Sequence, residues 1–184
     1  MSKNQISHSI FLEPISKKHI DKGWLKWIKN KSINKKLNSN TKGFNKKKLS
    51  DYVNNLKKDN SKMFACYDKH KKVYFGNIKL NNIDLIHKTC SYGRMIGEKE
   101  FKNRGYGKLM LFKICELAFE KIKLNKVFTY VFLDNKESIY SNKSFGMKIE
   151  GILKDHFIKD GKYKDVYIFS MLKKDFYKVK KKYK

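Results

Sequence analysis

The segment from Thr89 to Leu133 constrains this chain more than any other. An apolar stretch, TCSYGRMIG, is followed by EKEFKN, then Arg104-Gly105-Tyr106-Gly107-Lys108 opening a helical periodicity over about 105–123, then VFTYVFL. Leu111, Ile114, Cys115, Ala118, Phe119 and Ile122 share one helical face, opposite a stripe of Lys113, Glu116, Glu120 and Lys123. The run at 127–133 is short, β-branched and aromatic, as a strand buried on both faces requires. A strand–helix–strand unit therefore lies at the centre of the fold.

The remaining periodicities extend that unit into a mixed α/β (α+β) domain. A first strand is expected at 7–14, then helices at 18–29 and 46–58, with a polar loop at 38–45 between them. Ile20, Trp24, Trp27 and Ile28 form the apolar face of the first helix; Leu49, Tyr52, Val53 and Leu56 form that of the second. Packing is the expected role of both tryptophans. Strands follow at 63–67 and 73–80, joined by a hairpin-length polar turn. A helix over 136–145 stops at Gly146, and two final strands flank the turn 159–162. Residues 1–172 read as one domain and 173–184 as a basic, solvated tail.

Composition narrows the class. The 184 residues carry a formal charge of +27, which invites a nucleic-acid reading. Against it, 44 basic residues include only two arginines, Arg94 and Arg104, and the lysines spread along the whole chain. Phosphate-gripping and base-reading surfaces recruit arginine for its bidentate fork. The pattern fits a drift toward A/T-rich codons, so nucleic acid is disfavoured. The three cysteines are scattered and read as core residues, with neither a metal knuckle nor a disulfide framework. No apolar run reaches the roughly 18–20 residues of a membrane span, and residues 1–14 lack a secretory apolar core. The expected location is the cytoplasm, with no membrane association and no metal.

A strand, Arg-Gly-Tyr-Gly-Lys and a helix form a recipe for holding a pyrophosphate. Glycine lets the backbone approach closely, and a helix start presents unpaired N–H groups under a favourable dipole. Lys102, Arg104 and Lys108 add positive charge. Met110 stands where a dinucleotide fingerprint needs its third glycine, and the Lys-Ser/Thr ending of a P-loop is missing.

The second half of the pattern is Asn135-Lys-Glu-Ser138-Ile139, then Asn142-Lys-Ser-Phe-Gly146-Met147. Paired with the Arg-Gly-x-Gly turn, it resembles the GNAT superfamily of N-acetyltransferases from about Cys90 to Leu172. The phrase EGILKDHFIKDGKYKDVYIFSML is similar to the branch holding ribosomal-protein, polyamine and amino-sugar acetyltransferases. The resemblance implies a mostly antiparallel central sheet with one parallel, splayed strand pair, flanking helices, and acetyl-CoA as co-substrate. It implies that the main chain of Met95, Ile96 and Gly97 pairs with the pantetheine arm. The amides of Arg104, Gly105, Tyr106, Gly107 and Lys108, with Lys102 beside them, would hold the pyrophosphate, and Asn135 would meet the cofactor's far arm. Leu109 replaces the last small residue of the family's motif.

A further departure concerns chemistry. The family's frequent thiolate-protonating tyrosine aligns with Asn142, which cannot supply a proton; Tyr140 lies on a different helical face. A thiol of pKa ~8.5 leaves without much help, so positioning and backbone N–H groups would carry the step. Glu98, Glu100 and His156 are the candidate bases for the attacking amine.

The expected reaction moves an acetyl group to a primary amine on a small molecule. An amino sugar on a nucleotide, as in surface-glycan synthesis, suits so cationic a chain electrostatically. A protein N-terminus or a polyamine is the alternative acceptor, and a non-catalytic CoA sensor or nucleic-acid-binding module the alternative class. The pattern leaves room for a homodimer.

Overall fold

The computed structural model describes residues 9–39, 41 and 43–183. The expected first strand begins at Ile10, and residues 7 and 8, like the rest of the leader reading over 1–8, lie outside the described residues. Residues 40 and 42 of the expected loop lie outside them too.

Seven strands form one sheet: β1 (Ile10–Pro14), β2 (Lys62–Asp68), β3 (Tyr74–Asp84), β4 (Thr89–Ile96), β5 (Lys126–Phe132), β6 (Lys148–Lys159) and β7 (Lys162–Leu172). Their spatial order is β1-β2-β3-β4-β5-β7-β6. Every neighbouring pair is antiparallel except β4 and β5. That single parallel step is the strand–helix–strand unit read from the sequence.

Side chains alternate between two cores, as a pleated strand demands. Phe75, Tyr92 and Val127 enter a core with α4 (Tyr106–Glu116), which runs on through a π-helical turn at Leu117–Lys121, and with α5 (Lys136–Phe145). Tyr74 and Met95, on the opposite face, pack under the N-terminal helices. The first of these is broken where the periodicity alone predicts continuity. A π-helical turn at Ile20–Trp24 leads into α1 (Leu25–Lys29), then α2 (Lys31–Asn34) and α3 (Lys46–Asn55). Gly23, at φ +142°, makes the kink, and a Cβ there would press on the Trp27 indole. Ile20, Trp24, Trp27 and Ile28 are nevertheless all buried, as the apolar face requires.

The expected loose tail corrects to a helix, α6 (Lys173–Lys180). Phe176 is fully buried against Phe112 and Phe119. Lys180 bonds Glu120 at 2.6 Å and Glu116 at 3.2 Å. Lysine richness hid an aromatic anchor whose partners lie some sixty residues earlier.

Candidate functional site

β4 and β5 pair over only three positions, Thr89 with Lys126, Cys90 with Val127 and Ser91 with Phe128. Beyond Ser91 the strands part, β4 staying with β3 and β5 with β7. Each strand thus carries one unpaired edge, from Tyr92 to Ile96 and from Thr129 to Phe132. Unpaired N–H and C=O groups in a slot are strand-pairing sites for an extended ligand with amides of its own.

The N-terminus of α4 closes one end of that slot. Gly105 sits at its N-cap with φ +86°, a left-handed conformation that favours glycine, and has open space where a side chain would stand. No side chain caps α4, and no acid lies in its first turn. Among the described residues the amides of Tyr106 and Gly107 therefore lack a backbone partner beside the half-buried Lys102 and Lys108, whereas the expected cradle amide of Lys108 already donates to the Gly105 carbonyl at 2.9 Å. Gly107 lets this turn settle onto α5 and β4: a Cβ there would lie 3.1 Å from Ser141 Oγ and 3.8 Å from Arg94 Nε.

The expected site residues separate into two groups. Met95, Ile96, Lys102, Gly105, Gly107, Lys108 and Asn135 line one continuous cavity between α4 and α5. Asn135 also caps α5, accepting from the Ser138 N–H at 3.3 Å. The other residues are placed elsewhere. Arg104 is exposed at the rim. Tyr106 turns inward, its hydroxyl donating to Asp68 Oδ2 at 2.7 Å while its ring packs on Phe75 and Phe101. Burial and that carboxylate push its phenol up to about 12. Burial also acts to raise Asp68, but the N–H of Lys71, the Tyr106 hydroxyl and the N–H of His70 outweigh it and hold the carboxyl below its usual range. Tyr106 contributes a buttress and a backbone amide, and its side chain faces away from the slot.

Gly97 and Glu98 belong to a structural joint. Both their amides donate to the Phe75 carbonyl, at 2.8 and 3.2 Å, so neither is free for a ligand. The Trp27 indole covers Gly97 so closely that a Cβ would overlap it, and the indole N–H donates to Glu98 at 2.9 Å. Glu100 is exposed and faces Lys71 at 3.5 Å. His156 is exposed on β6 and stacks on Tyr130 and Phe157. None of the three expected bases lines the slot.

Asn142 is fully buried, where its Oδ1 accepts from Arg94 Nη2 at 2.8 Å and from the Tyr92 hydroxyl at 2.9 Å. Tyr140 is exposed. Sequence reasoning missed Arg94 as a site residue, although a signal was present. In a chain that uses lysine almost everywhere, Arg94 is one of two arginines, and it points into the site.

A second cavity joins the first across the slot. It lies between the N-terminal helices and the sheet, with Trp24, Tyr52, Tyr130 and Phe157 as aromatic walls and Asn77 and Asn81 on its floor. Asn38 reaches over it and donates to the Tyr130 carbonyl at 2.9 Å. Its cations are Lys36, Lys79 and Arg94, and no Asp, Glu or His lines it among the described residues. No group of His, Cys, Asp and Glu among the described residues could hold a metal ion. The three cysteines are buried, and burial raises each thiol, that of Cys90 to about 12.

The parted strands and the uncapped helix have a family counterpart. Residues 9–148 match the acetyltransferase (GNAT) domain. The chain belongs to the GNAT family. It is an N-acetyltransferase, with acetyl-CoA as the acyl donor. It is 23% identical over 118 residues to the spermidine N(1)-acetyltransferase of Vibrio cholerae serotype O1, covering 64% of this chain and 68% of that protein. It is 28% identical over 76 residues to an L-amino acid N-acetyltransferase of Escherichia coli (strain K12), covering 41% of this chain and 47% of that protein. In three dimensions it superposes on the crystal structure of spermidine N-acetyltransferase from Vibrio cholerae in complex with CoA and spermine. The TM-score is 0.83 at 18% identity, over 92% of this chain and 99% of that one. That likeness shows the shared fold.

Proposed function

We propose that this acetyltransferase acts on the primary amine of a small molecule, with acetyl-CoA lying in the slot between β4 and β5. The observation that carries this reading is the meeting of the unpaired strand edges with the uncapped N-terminus of α4. The open amides of that turn, with Lys102 and Lys108, suit a pyrophosphate. The edges of Tyr92–Ile96 and Thr129–Phe132, which pair with no strand across the slot, suit an amide-bearing pantetheine arm, with the Tyr130 carbonyl already taken by Asn38. The aromatic cavity on the other side leaves room for the acceptor.

The attacking nitrogen must be uncharged, and among the described residues no acid or histidine lines the acceptor cavity to deprotonate it. The proton therefore leaves to water, and the rate should climb with pH until the acceptor's own amine is neutral.

A polyamine is the acceptor class that the relatives support, since spermidine is named for the Vibrio cholerae protein. Trp24, Tyr52 and Tyr130 give the cavity the aromatic surface that ammonium groups bind, and the Tyr52 ring already carries the Lys79 ammonium 4.9 Å from its centroid. The amino-sugar acceptor expected from charge alone finds no such support among these relatives. A second reading, an amine on a neutral or anionic carrier, rests on one observation: among the described residues the acceptor cavity is lined by Lys36, Lys79 and Arg94 and by no carboxylate, with Lys36 paired to Glu137 of the adjoining cavity at 2.8 Å. Thiol release from acetyl-CoA with spermidine, amino acids, peptides and a nucleotide-linked amino sugar decides between them. Turnover of spermidine alone ends the second reading; turnover of the nucleotide sugar alone ends the polyamine reading. No thiol release with any amine sinks both and returns the chain to a CoA-binding role.

A further inference from the structure

Arg94 is a cation with no counter-ion. Among the described residues no carboxylate pairs with it, and its Nη1 is shielded from solvent without a hydrogen-bond partner. Nη2 is held by Asn142, the guanidinium lies 5.9 Å from the Tyr92 ring, and a Cβ at Gly107 in the first turn of α4 would reach its Nε at 3.8 Å and its Cζ at 3.9 Å. The residue as a whole is half-buried and its Nη1 end is the shielded part, and a charge drawn out of water carries a desolvation cost unless something compensates it. Burial accordingly pulls the guanidinium below its ordinary range, but arginine keeps its proton in proteins. A fixed positive charge is thus stored without a partner.

Its position says what the partner is. Lys36, Leu37, Arg94, Met95, Asn135 and Ser138 line both cavities and so mark where they join; of the two cations, Lys36 is paired with Glu137 at 2.8 Å and Arg94 has no such partner among the described residues. In acetyl transfer the carbon under attack must open to the acceptor side while its sulfur belongs to the donor side. The reacting atoms therefore belong at that junction.

We propose, resting on the acetyl-transfer reading, that Arg94 takes up the negative charge on the CoA sulfur as the thioester breaks, and that Asn142 positions it. The amine nitrogen bonds to the acetyl carbon, and the C–S bond breaks with its electron pair going to sulfur. The amine loses one proton to water, and the guanidinium keeps all of its own. A charge that forms only as the bond breaks is stabilised by a cation already in place, with no proton donor needed. This accounts for an asparagine at position 142.

The test reads the sulfur itself. The ultraviolet absorbance of the thiolate is followed against pH for CoA bound to the full chain. The bound thiol should titrate at least about one pH unit below a free thiol near ~8.5. Arg94→Met should abolish that shift while leaving affinity for desulfo-CoA, which lacks the sulfur, within about threefold. Arg94→Lys should restore part of it, and Asn142→Ala should weaken it. With acetyl-CoA, Arg94→Met should lower kcat about 10²-fold with KM nearly unchanged. A wild-type bound thiol that titrates like free CoA overturns the proposal without any variant. Equal loss of CoA and desulfo-CoA affinity in Arg94→Met overturns it too, making Arg94 a phosphate or pantetheine contact. If neither ligand binds the wild type, the acetyl-transfer reading falls and takes the proposal with it.

Discussion

The N-termini of α4 and α5 line one cavity and are built in opposite ways. At α5, Asn135 caps the helix through its side chain and Glu137 stands in the first turn, so the dipole and its loose N–H groups are satisfied internally. Asn30 and Asn45 cap α2 and α3 in the same manner. At α4 the cap is Gly105, with no side-chain acceptor, no acid in the first turn, and lysines at 102 and 108. A chain that caps helices with asparagine three times omits the cap where the parted strands open. The difference teaches that the start of α4 is left without the internal satisfaction the other three helices receive.

Four changes sharpen or break that contrast. The largest concerns α6, which also lacks a side-chain cap but is held by packing. Phe176→Ala should cost about 3–5 kcal/mol in a urea titration; a loss under 1 kcal/mol on that ~4 kcal/mol scale would mean that α6 is dispensable. Next, Gly105→Asp places a carboxylate at the open cap and should weaken CoA binding at least tenfold, about 1.4 kcal/mol. Calorimetry showing unchanged affinity would remove α4 from the binding site. At α5 the same kind of edit should act on the fold instead. Asn135→Ala should lower stability by about 1 kcal/mol, with CoA affinity falling less than in Gly105→Asp; the reverse order would erase the distinction.

The smallest effect is on pH dependence. His19 is fully buried, with its Nδ1 near Ser16 and its Nε2 3.8 Å from Glu13. Burial lowers its pKa, against the raising effects of the Ser16 backbone and Glu13. The unfolded chain therefore binds the proton more readily, and stability falls as pH drops below about 6.5, the ordinary histidine value. His19→Gln should flatten that limb of a urea-midpoint profile; an unchanged limb would clear His19 of the effect.

Much of the fold was legible because it is local. The span of α5, the stop at Gly146 (φ +102°) and the turn at Asp160-Gly161 follow from capping and turn chemistry within a few residues. The parallel β4–β5 step follows from a strand–helix–strand pattern, and the glycines at 105 and 107 marked the start of α4. The catalytic expectations were less legible. Glu98 reads as a base until Trp27, 71 residues away, is found bonded to it. Tyr106 reads as part of the cradle until Asp68 is found holding its hydroxyl away.

The sequence by itself determined the order of elements, the glycine-lined start of α4 and the positive charge around it, since each depends on neighbours a few residues apart. Only the tertiary structure decided that Arg94 meets Asn142 across 48 residues, that Phe176 anchors the basic end of the chain, and that, among the described residues, no carboxylate lines the cavity under the N-terminal helices. Those outcomes depend on which side chains the sheet order brings together, and burial then sets what their charges can do.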